Sequence, residues 1–462
     1  MKEILKKAEN LFVILCLIVG FIFIVITPPF QVSDENSHFF KMYSITEGTL
    51  NFQRYTMDNG NTFATSPLPL SVTYVAKDAN KFIYNYNMKY SADKIKSVLN
   101  IKLNKDKTSS FIYFIPAYGA LSYMPGILVL EVLKLLNVNP LWMMYILRVV
   151  SLLTYILITY WAIRIVPVKK WLFMLSGLLP IAIYGGGAVS SDGIVTSLCF
   201  LYTACIFNLA FNNEIKSISK KDFISISAII LYITICKFPY AILTLLMFII
   251  PKEKFPQKLS QNKTFWFTAV ILGIYVLFNN LHFLMISKGL SPVNDRIISV
   301  SDAIAYALQN PSGVVKLFLK TIQISSVKWY AGTIALFGWS DTFIPIFGLF
   351  MTSLSLIITS FFKDRDEIIS DVALLKNKII YFLISFLFFS FTLIVCYLLF
   401  SYKEFDMVRN MQGRYLVPLT PLIYLIFSSK ISVKYSLIRT LTLVLYVFLI
   451  LICVVNILHR FY

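Results

Sequence analysis

The sequence predicts an all-α polytopic membrane protein with about eleven transmembrane helices, because of its composition, its long apolar runs and its loop charges. Of 462 residues, 58% are hydrophobic and only 14% are charged, whereas about a quarter of the residues are charged in water-soluble domains. Apolar runs recur along nearly the whole chain, and a bilayer core of about 30 Å needs about 20 apolar residues per helix. A water-soluble protein is therefore excluded.

The formal charge of +19 comes largely from lysines and arginines in short loops between apolar runs. This pattern is typical of membrane topology, so we expect no nucleic-acid partner. The six cysteines fall inside apolar runs and lack the spacing of metal ligands. Since no fixed-period repeat or linker is visible, we expect a single membrane domain over residues 1–462.

The first apolar run, Leu11 to Thr27, indicates a retained transmembrane helix rather than a signal peptide. It lacks a small-residue cleavage site and continues into Pro28-Pro29. The other predicted spans are 141–166, 171–189, 194–211, 223–236, 240–250, 265–286, 343–362, 379–400, 416–427 and 435–458.

Loop charges orient these spans. Basic residues such as Lys169, Lys216 and Lys252 follow alternate spans, and the intervening short loops carry few charges. The positive-inside rule then places the N-terminus in the cytoplasm and the C-terminus outside. Residues 28–140 become the first external loop, and residues 287–341 become a second long external segment. Within them, the stretches 113–136 and 314–335 are expected to lie at the membrane surface or to re-enter it.

An amphipathic juxtamembrane helix is predicted directly after the first span. Ser33 is a suitable N-cap, Asp34 and Glu35 suit the positive end of the helix dipole, and Phe39 and Met42 begin an apolar stripe. Such a helix is expected to lie on the outer membrane surface.

Acidic residues in this helix and in a later external loop are candidates for catalysis. Asp34, Glu35 and His38 share one region, and Asp192 lies in Ser190-Ser191-Asp192-Gly193. A carboxylate here can act as a general base for a hydroxyl or hold a divalent cation, Mg²⁺ or Mn²⁺, against a phosphate. The alternative is that these acids only stabilise helix starts and that His38 is a hydrogen-bonded interfacial residue. Spacing does not show whether the two acidic sites meet.

Three basic residues near the same leaflet are candidates for phosphate binding. Lys237 interrupts an apolar hairpin, Arg148 lies inside the second span, and Arg414 stands at the outer end of a late span. Arginine and lysine both bind phosphate oxygens. The alternative for each is snorkelling or an internal ion pair.

Several short motifs, taken in order, resemble a known family. They are Pro29, Asp34-Glu35 with His38 and Gly48, Ser191-Asp192, Lys237-Phe238-Pro239-Tyr240, Gly338-Trp339-Ser340-Asp341-Thr342 with Pro345, and Gln412-Gly413-Arg414-Tyr415 with Pro418. Their order and spacing resemble the bacterial family catalogued as domain of unknown function 2142, which is grouped with the GT-C membrane glycosyltransferases. The resemblance covers about residues 11 to 455.

The resemblance implies a GT-C-like fold with juxtamembrane helices in the first external loop. It implies that Asp34 is the general base and that Asp192, with Glu35, binds a metal or the acceptor. It also implies that Lys237 and Arg414 contact the phosphate of the donor. The remaining candidates for substrate binding in these motifs are His38, Asp341 and Tyr415.

We therefore expect a glycosyltransferase of the bacterial plasma membrane. Its donor would be a sugar on a polyprenyl phosphate, since no predicted cytosolic segment is long enough to bind a nucleotide donor, and its acceptor would be an envelope glycan or glycolipid. The alternatives are a transporter or flippase of lipid-linked saccharides, and a polymerase or ligase that uses them.

Overall fold

The chain folds into a bundle of helices in which the predicted apolar runs are helical. The computed structural model describes residues 7–49, 53–56, 62–104, 108–112, 119–256, 260–287, 299–364, 371–401, 406–433 and 436–462. The α-helices are α1 (Ala8–Ile26), α2 (Glu35–Thr46), α3 (Leu70–Tyr74), α4 (Ala92–Leu99), α5 (Met124–Leu135), α6 (Pro140–Ile165), α7 (Lys170–Gly177), α8 (Pro180–Gly186), α9 (Asp192–Phe211), α10 (Lys220–Cys236), α11 (Gln261–Ser287), α12 (Val300–Gln309), α13 (Pro311–Ile334), α14 (Ile346–Phe361), α15 (Leu375–Phe400), α16 (Thr420–Leu425) and α17 (Ser436–Phe461).

Shorter elements connect these helices. The 3₁₀ helices are Ala79–Phe82, Ala120–Tyr123, Phe238–Ile249, Lys252–Lys254, Asp371–Ala373 and Gly413–Leu419. The strands are β1 (Gln53–Thr56), β2 (Thr62–Pro69), β3 (Thr108–Ile112), β4 (Leu336–Phe337), β5 (Thr342–Phe343), β6 (Lys363–Asp364) and β7 (Ser432–Val433).

Five of the described helices, α1, α6, α9, α15 and α17, are long and apolar enough to cross a membrane. The larger number of about eleven spans stays a prediction. One predicted span, 171–189, is not a continuous helix, because α7 ends at Gly177 and α8 begins at Pro180. Proline lacks the backbone N–H that a continuous helix needs at this position, so the chain bends there.

The centre of the bundle is formed by α6, which packs against both α1 and α9. On α1, Phe12, Cys16, Val19 and Phe23 are buried, while Phe21 and other apolar side chains on the opposite face are exposed. The first set recurs at helical spacing and faces protein. The exposed apolar face is what a lipid-contacting helix presents.

The first predicted external loop contains a small sheet that the sequence analysis missed. Strands β1, β2 and β3 pair in that order, and both pairings are antiparallel. The helical part of the prediction is observed in α2 to α5. Residues 113–118 of the stretch 113–136 lie outside the described residues.

Helix α2 corrects two predictions. Ser33 is not the N-cap, since Asp34 occupies that position and the Ser33 hydroxyl donates to the carbonyl of Gly338 at 3.0 Å. The helix is also not a surface helix: Asn36, Phe40 and Lys41, like most of its other residues, are buried. The reason is that α5, β2 and the 3₁₀ helix Ala120–Tyr123 all pack against it.

A buried ion pair fixes α2 against the bundle. Arg148 of α6 donates to both carboxylate oxygens of Glu35, from Nε to Oε1 at 2.8 Å and from Nη2 to Oε2 at 2.6 Å. The same guanidinium donates to the carbonyls of Thr27 and Pro28, at 2.8 and 3.0 Å. Pro28 ends α1 and leaves carbonyl groups there without helical partners. Arg148 supplies the missing donors. Of the alternatives given for this residue, which were phosphate binding, snorkelling and an internal ion pair, the internal ion pair is observed.

We expect Arg148→Met to lower the stability of the protein by about 3–5 kcal/mol, because Glu35 would then be a buried carboxylate without a countercharge. Thermal unfolding of the purified protein in detergent measures this loss. The double variant Arg148→Met with Glu35→Gln should recover much of it. Equal destabilisation by the single and the double variant would show that the ion pair does not hold α2.

Candidate functional site

Four separate parts of the chain meet at one end of the bundle. They are the turn between α1 and α2, which carries Asp34, the start of α9 at Asp192, the end of α10 at Lys237, and the start of the 3₁₀ helix Gly413–Leu419, which carries Arg414. The start of α9 can approach the end of α8 because residue 193 is glycine: a Cβ there would lie 2.9 Å from the Cα of Gly186. The two acidic sites, whose meeting could not be decided from spacing, therefore lie together.

Ion pairs connect these parts. Arg414 contacts both carboxylates, from Nη2 to Oδ2 of Asp34 at 2.7 Å and from Nε to Oδ2 of Asp192 at 3.2 Å. The ammonium of Lys237 lies 3.4 Å from Oδ1 of Asp192. Arg414 therefore bridges the two acids, and Lys237 supplies a second positive charge to Asp192.

The two carboxylates differ in access. The side chain of Asp34 is 46% exposed, whereas that of Asp192 is 21% exposed and has both oxygens at ion-pair distance from a cation. Asp34 thus retains room for a ligand. Asp192 is better placed to orient Arg414 and Lys237 than to react.

The backbone at Asp34 is in the left-handed region, with φ of 65°. This conformation costs a non-glycine residue roughly 1–2 kcal/mol. The next residue, Glu35, is held by Arg148 and also accepts from the backbone N–H of Val189 at 3.1 Å. These bonds oppose relaxation of the turn, so they fix the direction of the Asp34 side chain.

A cavity of about 470 Å³ opens at Asp34, Asp192 and Arg414, which all line it. Further along, its walls carry the aromatic residues Tyr84 and Trp339. Carboxylates, a cation and aromatic side chains in one cavity are suited to a polar ligand of moderate size.

Lys237 and Tyr415 lie behind Arg414 and are not part of the cavity wall. The ammonium of Lys237 is 3.9 Å from the ring centroid of Tyr415, a cation–π distance. The carbonyl of Tyr415 accepts from the Tyr240 hydroxyl at 2.7 Å. Their predicted contacts with substrate stay predictions; what is observed is that they hold the charged cluster in place.

Glu35 and Asp341, also predicted as site residues, are enclosed by protein. Glu35 is fully buried against Arg148. Asp341 is 2% exposed and its Oδ2 accepts from Arg460 Nη2 at 3.1 Å and from the backbone N–H of Tyr84 at 3.2 Å. Neither lines the cavity. What is observed is that both position neighbouring segments; their predicted roles in the site stay predictions.

His38 is buried next to the cluster, with Nδ1 at 2.6 Å from the Tyr123 hydroxyl. Burial lowers the pKa of His38 below its ordinary value of 6.5, and the carboxylates of Asp34 and Asp192 act in the opposite direction. The hydrogen-bonded alternative is thus observed. A neutral imidazole is expected at neutral pH.

Sequence reasoning missed two cations of the cavity wall, Lys328 of α13 and Arg409. Both lie in segments that the sequence places at the outer leaflet, and this position could have indicated them as candidates for phosphate binding. Neither belongs to a motif of the family resemblance.

The predicted divalent cation is not favoured by this arrangement. Among the described residues, no three His, Cys, Asp or Glu side chains cluster as a metal site does. Asp34 and Asp192 are also bridged by a guanidinium, which takes up the space and the negative charge that a cation would use.

The fold and site define a helical membrane protein with a charged cavity at one end of its bundle. Residues 17–423 match the model of a family described as "Predicted membrane protein (DUF2142)". The match covers most of the chain, so the chain belongs to this family and the resemblance to it is confirmed, while the grouping with GT-C glycosyltransferases stays a prediction. Searches of curated proteins and of solved structures found no match.

We expect the stability of the protein to fall as the pH is lowered below about 6.5, since the unfolded chain then takes up a proton that buried His38 resists. The contribution of buried, neutral His38 to the free energy of unfolding is fully present above that pH. His38→Gln, which keeps a hydrogen-bonding side chain, should make the melting temperature less dependent on pH between about 7 and 5.

Melting curves in detergent across this range test the expectation. His459→Gln, a change at an exposed histidine, is the matched control. The same pH dependence in the wild type and in His38→Gln would contradict it.

Proposed function

We propose that this protein is a glycosyltransferase that moves a sugar from a polyprenyl-phosphate donor to a cell-envelope acceptor. The observation that carries the proposal is that Asp34, Asp192 and Arg414 share one cavity at a single end of the bundle. A transfer of this kind needs a base for the attacking hydroxyl and positive charge for the departing phosphate. The cavity supplies both.

The proposed role of each charged side chain follows from its exposure and its ion pairs. In the proposed reaction, the acceptor hydroxyl attacks the anomeric carbon and gives its proton to Asp34. The bond from that carbon to the phosphate oxygen breaks, and the phosphate leaves with the electron pair. Asp192 and Lys237 keep Arg414 oriented beside Asp34, so positive charge is already in place at this end of the cavity when the reaction begins. This account uses no metal ion, because Arg414 stands between the carboxylates.

The orientation of the protein is part of the proposal. At the end of the bundle opposite the cavity, Lys169 donates to the carbonyl of Ser360 at 2.9 Å and Lys254 to that of Leu209 at 2.8 Å. Other basic loop residues, such as Lys220 and Lys252, belong to the same end. The positive-inside rule then places this end in the cytoplasm and the cavity outside.

With about eleven spans, this orientation puts the N-terminus in the cytoplasm and the C-terminus outside. It agrees with a GT-C-like fold in a bacterial plasma membrane, in which the donor is carried by a lipid of the same bilayer. The acceptor is an envelope glycan or glycolipid that reaches the outer leaflet.

We expect Asp34→Asn to lower transfer by about 10²- to 10⁴-fold, the usual contribution of a general base. Asp192→Asn should also lower it, because Arg414 and Lys237 lose the carboxylate that orients them. Sugar analysis of envelope polymers from cells with equal protein levels measures both effects. Asp93→Asn, at an exposed acid of the first external segment, is the control. Unchanged envelope sugars in Asp34→Asn would overturn the catalytic assignment.

A transporter or flippase is separated from a transferase by an assay without vesicles. We expect the purified protein in detergent to convert a polyprenyl-phosphate sugar and an acceptor extract into glycosylated product. Transport alone forms no product in such a sample. A monosaccharide phosphate donor favours a transferase, whereas exclusive use of oligosaccharide pyrophosphate donors would indicate a ligase or polymerase.

A further inference from the structure

Helix α13 and the segment 406–413 run side by side and enclose one flank of the cavity. The backbone N–H of Val408 donates to the Thr321 hydroxyl at 3.0 Å, and the indole N–H of Trp329 donates to the carbonyl of Met411 at 2.9 Å. At Gly413 the approach is so close that a Cβ would meet the carbonyl oxygen of Trp329. Both segments therefore advance in the same direction, toward Arg414.

One face of α13 lines the cavity with Ser325, Lys328 and Gly332. Gly332 packs on Gly413, next to Arg414, and Lys328 lies about one turn earlier, or roughly 6 Å along the helix axis. Arg409, from the neighbouring segment, lines the cavity as well. The cavity thus has an acidic end at Asp34 and a basic flank at Lys328 and Arg409.

The cations in and behind the cavity wall differ in the partners that already face their charge. Arg414 contacts two carboxylates, and Lys237 is paired with Asp192. By contrast, the ammonium of Lys328 donates to the hydroxyl of Tyr84, a neutral group, at 3.1 Å. Arg409 contacts the carboxylate of Asp406 at 2.7 Å, and its side chain remains 35% exposed. Lys328 and Arg409 therefore present positive charge to an anion that enters the cavity.

The geometry of displacement favours the same place. In a single displacement at a sugar carbon, the base and the leaving group act on opposite faces of the ring. Groups that act on opposite faces of a sugar in inverting glycoside hydrolases stand roughly 6.5–9.5 Å apart. Arg414 touches Asp34 at 2.7 Å, so it lies on the side of the base. Lys328 lies about one helical turn from Gly332, which packs beside Arg414, so it belongs to a different part of the cavity wall from the base.

We propose that Lys328 and Arg409 bind the phosphate of a lipid-linked ligand, with Arg414 serving the acidic end of the cavity. This inference rests on the proposed function and reassigns the phosphate contact, which sequence reasoning gave to Lys237 and Arg414. Helix α13 also exposes Leu319, Ile324 and Val327, as a helix in contact with lipid does, so the lipid chain of the ligand has a membrane beside the phosphate site.

The experiment measures binding of decaprenyl phosphate and of uncharged decaprenol to the purified full-length protein in detergent. The wild type should bind the phosphate more tightly than the alcohol. Lys328→Gln and Arg409→Gln should each weaken phosphate binding by about tenfold to a hundredfold, the usual loss for a hydrogen bond to a charged group. Binding of decaprenol should not change.

Lys320→Gln is the matched control, since Lys320 is an exposed lysine of the same helix that does not line the cavity. Lys328→Arg, which keeps the charge, should retain most of the affinity and shows that a loss in Lys328→Gln is not a folding defect. Melting temperatures of all variants accompany the binding curves.

The outcomes separate this inference from the proposed function. If Lys328→Gln and Arg409→Gln bind the phosphate as Lys320→Gln does while Arg414→Gln does not, the inference is overturned and a phosphate donor is retained. If the wild type binds decaprenyl phosphate no better than decaprenol, the donor class of the proposed function fails, and the inference with it. Full phosphate binding by Asp34→Asn, together with lost transfer, supports both.

Discussion

The buried contact between Arg148 and Glu35 is the constraint on which the arrangement of the site depends. The guanidinium of Arg148 donates to backbone carbonyls that lack helical partners at the end of α1. Its carboxylate partner, Glu35, is the first residue of α2. The same carboxylate accepts from Val189, shortly before α9 begins. One pair of side chains therefore joins α1, α2, α6 and the start of α9. A charge pair at this depth is costly to break, since either partner alone would be a buried, uncompensated ion.

From this fixed point, the chemistry of the cavity follows by proximity. Asp34 adjoins Glu35, and Asp192 follows Val189 by three positions, so the pair that fixes the backbone also brings the two acids to Arg414. The cluster is asymmetric, because Asp192 is neutralised on both sides and Asp34 on one. Two carboxylates whose surroundings differ in this way can have different chemical roles in one site. The positive charges are graded too, from Arg414 at the acids to Lys328 and Arg409 further along the cavity.

Much of the bundle was predictable from local signals. Apolar runs and alternating loop charges are patterns within one helix length of sequence. The predicted bounds of α1, α9 and α17 therefore lie close to the observed ones. The acids and cations of the cluster were found because they are rare charges that the loop pattern predicts near one leaflet. The prediction of one continuous helix over 171–189 was wrong at Pro180, because proline interrupts the helix although the run is apolar throughout.

What could not be predicted depends on contacts between distant parts of the chain. The burial of α2 is set by α5 and the neighbouring turn, which its own pattern does not encode. The partners of Glu35 and Asp341 are Arg148 and Arg460, and nothing in the spacing of these residues connects them. Lys328 and Arg409 lacked a motif, and only the packing of α13 on the segment 406–413 brings them to the cavity that the acids line.

We propose that the cavity between Asp34 and Lys328 holds the head group of a lipid-linked phosphate. A cryo-electron microscopy structure of the Asp34→Asn protein with decaprenyl-phosphate sugar shows where the head group binds. We expect density for the phosphate beside Lys328 and Arg409, with the sugar between them and residue 34. Head-group density elsewhere, for example in the second cavity, of about 600 Å³, that Lys77 and Lys102 line, would contradict it.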